Sequence, residues 1–212
     1  ISGDGRYVVA LSPRRQVRAD RNIYTDLYRI DRARGKGVGR VELLSRGADG
    51  KGLTLGCDIG PLDVSHDGRY VVASCRDGRL FDPPIPHKHS HLTLFDTRTD
   101  RHTLLNPNDL EDSYASAAAV SDDGRTVFFG SSEGPFAGTP PEVGPDVYRW
   151  RRRQGVTLVS VGNDSVYRWW GYQLDLSADG DTAVFESDSP LVPGDNERGV
   201  LDPDVYTVRL GR

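Results

Sequence analysis

The chain has no methionine, only two cysteines and no excess of basic residues, and each scarcity closes off a class of protein. With 27 Lys and Arg against 31 Asp and Glu, the formal charge of −4 supplies no broad basic field for a phosphate backbone, so nucleic acid is not an expected partner. No apolar run approaches the roughly 20 residues of a membrane-spanning helix, so no membrane span is expected. No long amphipathic helical pattern occurs either. The sequence opens at Ile1 without a signal-peptide pattern, which, with the missing methionine, predicts a mature product, a proteolytic piece or an excised domain. Glycine and proline are plentiful, at 24 and 13, in a chain of 212 residues whose hydrophobic share is 36%. That composition suits many short strands joined by turns.

One tetrapeptide, Ser-x-Asp-Gly, occurs four times, as Ser2, Asp4 and Gly5; Ser65, Asp67 and Gly68; Ser121, Asp123 and Gly124; and Ser177, Asp179 and Gly180. Each copy precedes an apolar run, such as Tyr70-Val71-Val72-Ala73, and three follow another, such as Ala117 to Val120. The tetrapeptide therefore reads as a turn between antiparallel strands. Ser and Asp side chains bond nearby amides, and Gly takes the left-handed conformation of a three-residue hairpin with a bulge. A second element recurs 21 to 24 residues after the glycine: Asp26-Leu27-Tyr28, His91-Leu92-Thr93, Asp146-Val147-Tyr148 and Asp204-Val205-Tyr206. A polar turn and a fourth strand follow it in three copies. The expected fold is all-β, a β-propeller of four blade repeats of four antiparallel strands, in residues 1–46, 57–106, 115–161 and 172–212 of a single segment spanning 1–212. A four-stranded sheet of this size cannot bury both faces alone, so neighbouring blades must stack on it.

Ser-x-Asp-Gly-Arg-Tyr-Val-Val followed by Asp-Val-Tyr resembles the WD40-like (PD40) propeller repeat of the TolB-like family, over essentially the whole chain. The last copy, with Leu191-Val192-Pro193-Gly194-Asp195 between its two motifs, follows the family wording most closely. The second departs most, since His91 and Thr93 replace its aspartate and tyrosine. The resemblance implies an exported protein, secreted or at the cell envelope, that docks onto other proteins. The chain enters at the end of one blade's first strand and stops after another's third. The ring is therefore expected to be incomplete within this chain, completed by a longer chain, a second copy or another protein, with a self-contained four-bladed ring as the alternative.

Several residue groups are candidates for chemistry. Cys57 and Cys75 flank the second turn. With His66-Asp67-Gly68 as the loop they fall on one face as diagonal neighbours, which a bulge could bring opposite. Either a disulfide or two buried thiols fits. His87, His89 and His91 alternate along an extended segment as a metal cluster would, although a solvated loop after Pro83-Pro84-Ile85-Pro86 explains them as well. Tyr167, Arg168, Trp169, Trp170 and Tyr172 lie where blade three passes to blade four. They could stack on a ligand or wedge between blades. Asp195, Asn196, Glu197, Asp202 and Asp204 offer hard oxygen ligands for calcium, without EF-hand spacing, and equally suit turns. No other cofactor is expected. Arg149-Trp150-Arg151-Arg152-Arg153 reads as a solvated hairpin.

The leading functional expectation is a non-catalytic scaffold. It would recognise a protein or other ligand through same-face loops at residues 12–25, 76–90, 131–145 and 187–203. The alternative is the propeller domain of a larger hydrolase, serine peptidase-associated or glycoside-active. Against it, the glycines directly follow aspartate, unlike a sialidase-type Asp box, and no Gly-x-Ser-x-Gly elbow is present.

Overall fold

The chain alternates short apolar runs with glycine-containing turns, and in the computed structural model the described residues form fourteen strands and one turn of 3-10 helix. The structure describes residues 1–34, 37, 39–47, 49–86, 91–106, 115–131, 146–160, 173–187, 191–192 and 204–211. Blade one holds β1 (Tyr7–Ser12), β2 (Asp26–Asp31) and β3 (Arg40–Leu43). Blade two holds β4 (Cys57–Val64), β5 (Tyr70–Cys75), β6 (His91–Asp96) and β7 (Arg101–Leu104). Blade three holds β8 (Ala115–Val120), β9 (Thr126–Ser131), β10 (Asp146–Arg151) and β11 (Gly155–Leu158). Blade four holds β12 (Leu174–Leu176), β13 (Thr182–Ser187) and β14 (Asp204–Arg209). Every pairing is antiparallel between sequential neighbours, and the outer two sheets have three strands where the inner two have four. Four open sheets stacked in chain order make an incomplete β-propeller.

Burial follows from that stacking. Each of the three apolar clusters lies between consecutive blades. Val71, Ala73 and Phe95 of blade two meet Leu27 and Leu44 of blade one, while Tyr70, Val72 and Leu94 on the opposite face meet Val127, Phe129 and Tyr148 of blade three. Phe128 and Val147 then meet Ala183 and Phe185 of blade four. Because side chains alternate along a strand, β5 and β9, covered on both faces, are buried at every position. By contrast β13, covered by a blade on one face, keeps a two-residue alternation.

The tetrapeptide makes the same network in all four turns. The serine hydroxyl donates to the aspartate two residues on, at 2.6, 2.9, 2.8 and 2.6 Å, and accepts from the amide five residues on. The aspartate accepts the amide just after the glycine. Ser65 pairs with Tyr70, and likewise in the other copies, so the loop holds four residues rather than the three expected. The serine hydroxyl bonds the amide that would otherwise shorten the hairpin.

The turns also bind one another. The Asp4 amide donates to the His66 carbonyl at 3.1 Å, the His66 amide to the Asp122 carboxylate at 2.8 Å, and the Asp122 amide to the Ala178 carbonyl at 2.9 Å. Gly68 and Gly124, at φ +70° and +62°, have the rings of Tyr7 and Tyr70 of the preceding blade where a Cβ would sit. Glycine is needed there both for its left-handed backbone and for the space.

Candidate functional site

In sheets of this topology the Ser-x-Asp-Gly turns and the third-to-fourth-strand turns share one end of the strands. The long second-to-third-strand loops occupy the other. Two of those loops are described, 12–25 of blade one and 76–86 of blade two, and both are built from polar side chains turned inward. Asp20, 2% exposed, accepts the Tyr28 hydroxyl at 2.5 Å, and the fully buried Asp26 accepts the Ser45 hydroxyl at 2.6 Å. Between them, Asn22 donates to Asp26 at 2.8 Å and to the Leu53 carbonyl at 3.1 Å, and it accepts the Tyr24 amide at 2.6 Å. Burial pushes the Asp26 carboxyl above its ordinary range, against the Ser45 and Asn22 bonds, with Asp20 nearby adding to the rise. Burial, together with the bond to Asp20, likewise raises the Tyr28 phenol.

Blade two grips the same connecting segment from the other side. Asp77, wholly buried, accepts the Thr54 and Leu55 amides at 2.6 and 3.2 Å and the Thr54 hydroxyl at 3.0 Å. Burial works to raise its pKa, but the Arg79 guanidinium and these amides overcome that and hold it well below the carboxylate range. The same carboxylate caps the short helix Gly78–Leu80. Residues 53–57 are thus clamped between loops 12–25 and 76–86, and the Cys57 amide donates to the Thr25 carbonyl at 2.7 Å. The two loops form a surface braced internally against residues 53–57.

Cys57 and Cys75 sit at the base of this surface, joined by a disulfide. They face one another directly, not diagonally. A register shift between Cys57 and Leu62, where Gly60 and Pro61 interrupt the ladder, supplies the bulge that aligns them. His91 is buried at the start of β6, with its Nε2 3.1 Å from the Pro86 carbonyl oxygen and its ring edge-on to Phe81. His87 and His89 lie outside the described residues. Asp204 opens β14, exposed, opposite Ser187. Asp195, Asn196, Glu197 and Asp202, and all of Tyr167, Arg168, Trp169, Trp170 and Tyr172, lie outside the described residues. Among the described residues no group of three or more His, Cys, Asp or Glu is placed to hold a metal ion.

The arginine run is not merely a solvated hairpin. Trp150 belongs to the core between blades two and three. Arg149 donates to the Leu210 carbonyl of blade four, and Arg152 lies 5.9 Å from the Tyr70 ring centroid. Arg29 fills the matching place in blade one, reaching the Gly68 carbonyl at 2.9 Å and Thr97 of blade two while paired with Glu42. Arg6 with Asp31 inside blade one, and Arg69 with Asp96 inside blade two, form two-pronged ion pairs. Arg6 and Arg69 each directly follow a turn glycine, which was the available signal. Blades three and four, with Arg151 and Arg209 where blades one and two have Asp31 and Asp96, break that pattern.

No protein-family profile and no curated protein matches the chain. Among solved structures, TolB from Acinetobacter baumannii is similar over 98% of this chain and 39% of its own length, at 17% identity and a TM-score of 0.52. A protein assigned as TolB from Agrobacterium tumefaciens is similar over 99% of this chain and 60% of its own, at 17% identity and a TM-score of 0.54. The fold is a TolB-like propeller. It also resembles an oligogalacturonate lyase from Vibrio parahaemolyticus over 89% of this chain and 44% of that one, at 12% identity and a TM-score of 0.52. The chain therefore spans less than two thirds of each of these proteins. Among the described residues no helix is long and apolar enough to cross a membrane.

Proposed function

We propose that this chain is a non-catalytic binding scaffold, recognising a protein through the loops at one end of its strands. The observation that carries this reading is the buried bracing of loops 12–25 and 76–86 by Asp20, Asn22, Asp26 and Asp77. Burying carboxylates opposes stability unless they are well bonded, and a loop ordered in advance loses less entropy when a partner docks. The disulfide between the only two cysteines favours an oxidising, extracytoplasmic setting, which the TolB-like resemblance also implies. A second copy or another chain that completes the ring, and the aromatic group at Trp169 and Trp170, belong to the same proposal. Calcium at Asp195, Asn196, Asp202 and Asp204 is a further part of it, and elemental analysis of untagged protein tests it.

The test is affinity capture from an extracytoplasmic extract with quantitative mass spectrometry. Captured protein lost on Trp169→Ala/Trp170→Ala or on changes in loop 12–25, but kept on Arg98→Ser at the turn end, supports recognition by the loop end. Loss only on Arg98→Ser refutes it. Turnover of chromogenic peptides or glycosides by the purified chain would favour the other reading, the propeller of a hydrolase.

A further inference from the structure

Loop 12–25 carries four arginines against one aspartate in a chain of net charge −4, and that aspartate, Asp20, is buried beneath the loop. Arg14, Arg15, Arg18 and Arg21 are all exposed, and none is ion-paired among the described residues. Arg15 folds back on the Val17 and Arg18 carbonyls at 3.2 and 3.0 Å, which shapes the bend without neutralising it. At the tip Ile23 is 85% exposed and Tyr24 49%, the two large apolar side chains of this loop left in water. They are held there from below, because Asn22 fixes the Tyr24 amide while Gly56 lies against Thr25 and the Tyr24 Cβ.

A solvated loop has no need of this bracing. Exposed apolar side chains carried with exposed cations on one braced loop match the composition of an interface anchor with a polar surround. We propose that loop 12–25 is a docking hook for an acidic peptide segment bearing an apolar residue, whose carboxylates meet Arg14, Arg18 and Arg21 and whose apolar side chain packs on Ile23 and Tyr24. The proposal rests on the loop-end reading above and names the partner's chemistry. Charge complementarity selects this occupant. Guanidiniums match carboxylates in a two-pronged geometry, and these four arginines stand on a chain of net charge −4. A long phosphate backbone or an anionic bilayer is disfavoured by that net negative charge.

The test uses the whole chain, immobilised and panned with a displayed random-peptide library. Two variants are compared with the parent, Arg14→Ser/Arg18→Ser/Arg21→Ser and Ile23→Ser/Tyr24→Ser, each checked for an unchanged thermal midpoint. The parent is expected to enrich peptides combining Asp or Glu with a large apolar residue. Each variant should bind them about tenfold more weakly, and added salt should weaken the parent's binding but scarcely that of the triple-arginine variant. Acidic peptides bound equally by all three proteins overturn the hook. Peptides of other composition that ignore loop 12–25 but are lost on Trp169→Ala/Trp170→Ala overturn it too, and leave recognition by the loop end standing. Peptides lost only on Arg98→Ser overturn both. Retention of duplex DNA or phosphatidylserine vesicles by the parent, without acidic peptide, overturns the choice of occupant.

Discussion

Replacing Gly124 with alanine separates two demands that the turn places on one residue. Its φ of +62° is left-handed, and a Cβ there would sit 2.4 Å from Cδ1 of Tyr70, whose ring is buried at 5% exposure and has nowhere to go. Gly5 is the matched control, with the same turn, a φ of +72° and nothing within 4 Å of an added Cβ. Gly5→Ala should therefore cost only the left-handed strain, roughly 1–2 kcal/mol. Gly124→Ala should add an overpacking penalty of roughly 1–3 kcal/mol between blades two and three. At about 2–4 °C per kcal/mol for a chain of this size, the second variant should melt several degrees below the first. Urea unfolding followed by tryptophan fluorescence measures both, with an unchanged m-value expected. In a Tyr70→Ala background the cost at Gly124 should fall to the Gly5 level, and the double-mutant cycle reports the difference. Equal losses at Gly5 and Gly124, or a Gly124 cost that survives removal of the ring, would refute the claim that each turn glycine is dictated by the preceding blade.

Removing the disulfide with Cys57→Ala/Cys75→Ala reopens a loop of sequence separation 18, which on the chain-entropy model costs about 3 kcal/mol; thermal unfolding should show a fall of the midpoint by about 10 °C. Burial raises the Asp96 carboxyl, but Arg69 and the surrounding donors outweigh it and bring the pKa down to about 2, so this group's stabilisation is complete above the ordinary aspartate range and is lost as pH falls from about 4 towards 2. Asp96→Asn should accordingly flatten the pH dependence of the unfolding free energy in that window, and an unchanged slope counts against the assignment. Asp20→Asn should leave the fold intact but raise amide hydrogen exchange across residues 14–24, and exchange that stays at the parent's rate would show that the buried carboxylate does not brace the loop.

The turn end of the strands was legible in the sequence because its constraints repeat. A hydroxyl, a carboxylate and a left-handed glycine are demanded at each bend, and the copies at Ser2, Ser65, Ser121 and Ser177 could be set in register from those demands alone. The loop is one residue longer than the turn signature predicts, since nothing in the composition tells whether the serine hydroxyl will occupy the amide five residues on. The cysteine pairing depended on a bulge at Gly60 and Pro61 that adds residues to one strand only, a feature that counting from the turn cannot see. The bracing of loop 12–25 was hidden for another reason. Asp20, Asn22 and Asp26 read as ordinary polar loop residues until Tyr28 on the following strand, and Ser45 and Leu53, distant in sequence, are brought beside them.

These differences follow from where blades touch one another. At the turn end the Asp4, His66 and Asp122 amides each bind the next turn, so one turn can change only if its neighbour still fits, and the tetrapeptide recurs. At the loop end the described contacts are of another kind. Asp20 with Asn22, and Asp77, brace residues 53–57 with different side chains and from opposite sides, so each loop is free to carry its own sequence provided the clamp holds. A surface that must discriminate a partner belongs where sequence can vary without loosening the stack. Exposed Ile23 and Tyr24 beside unpaired arginines, impossible at a turn that must seat the next blade, can be carried there because the cost of exposure falls on one loop alone.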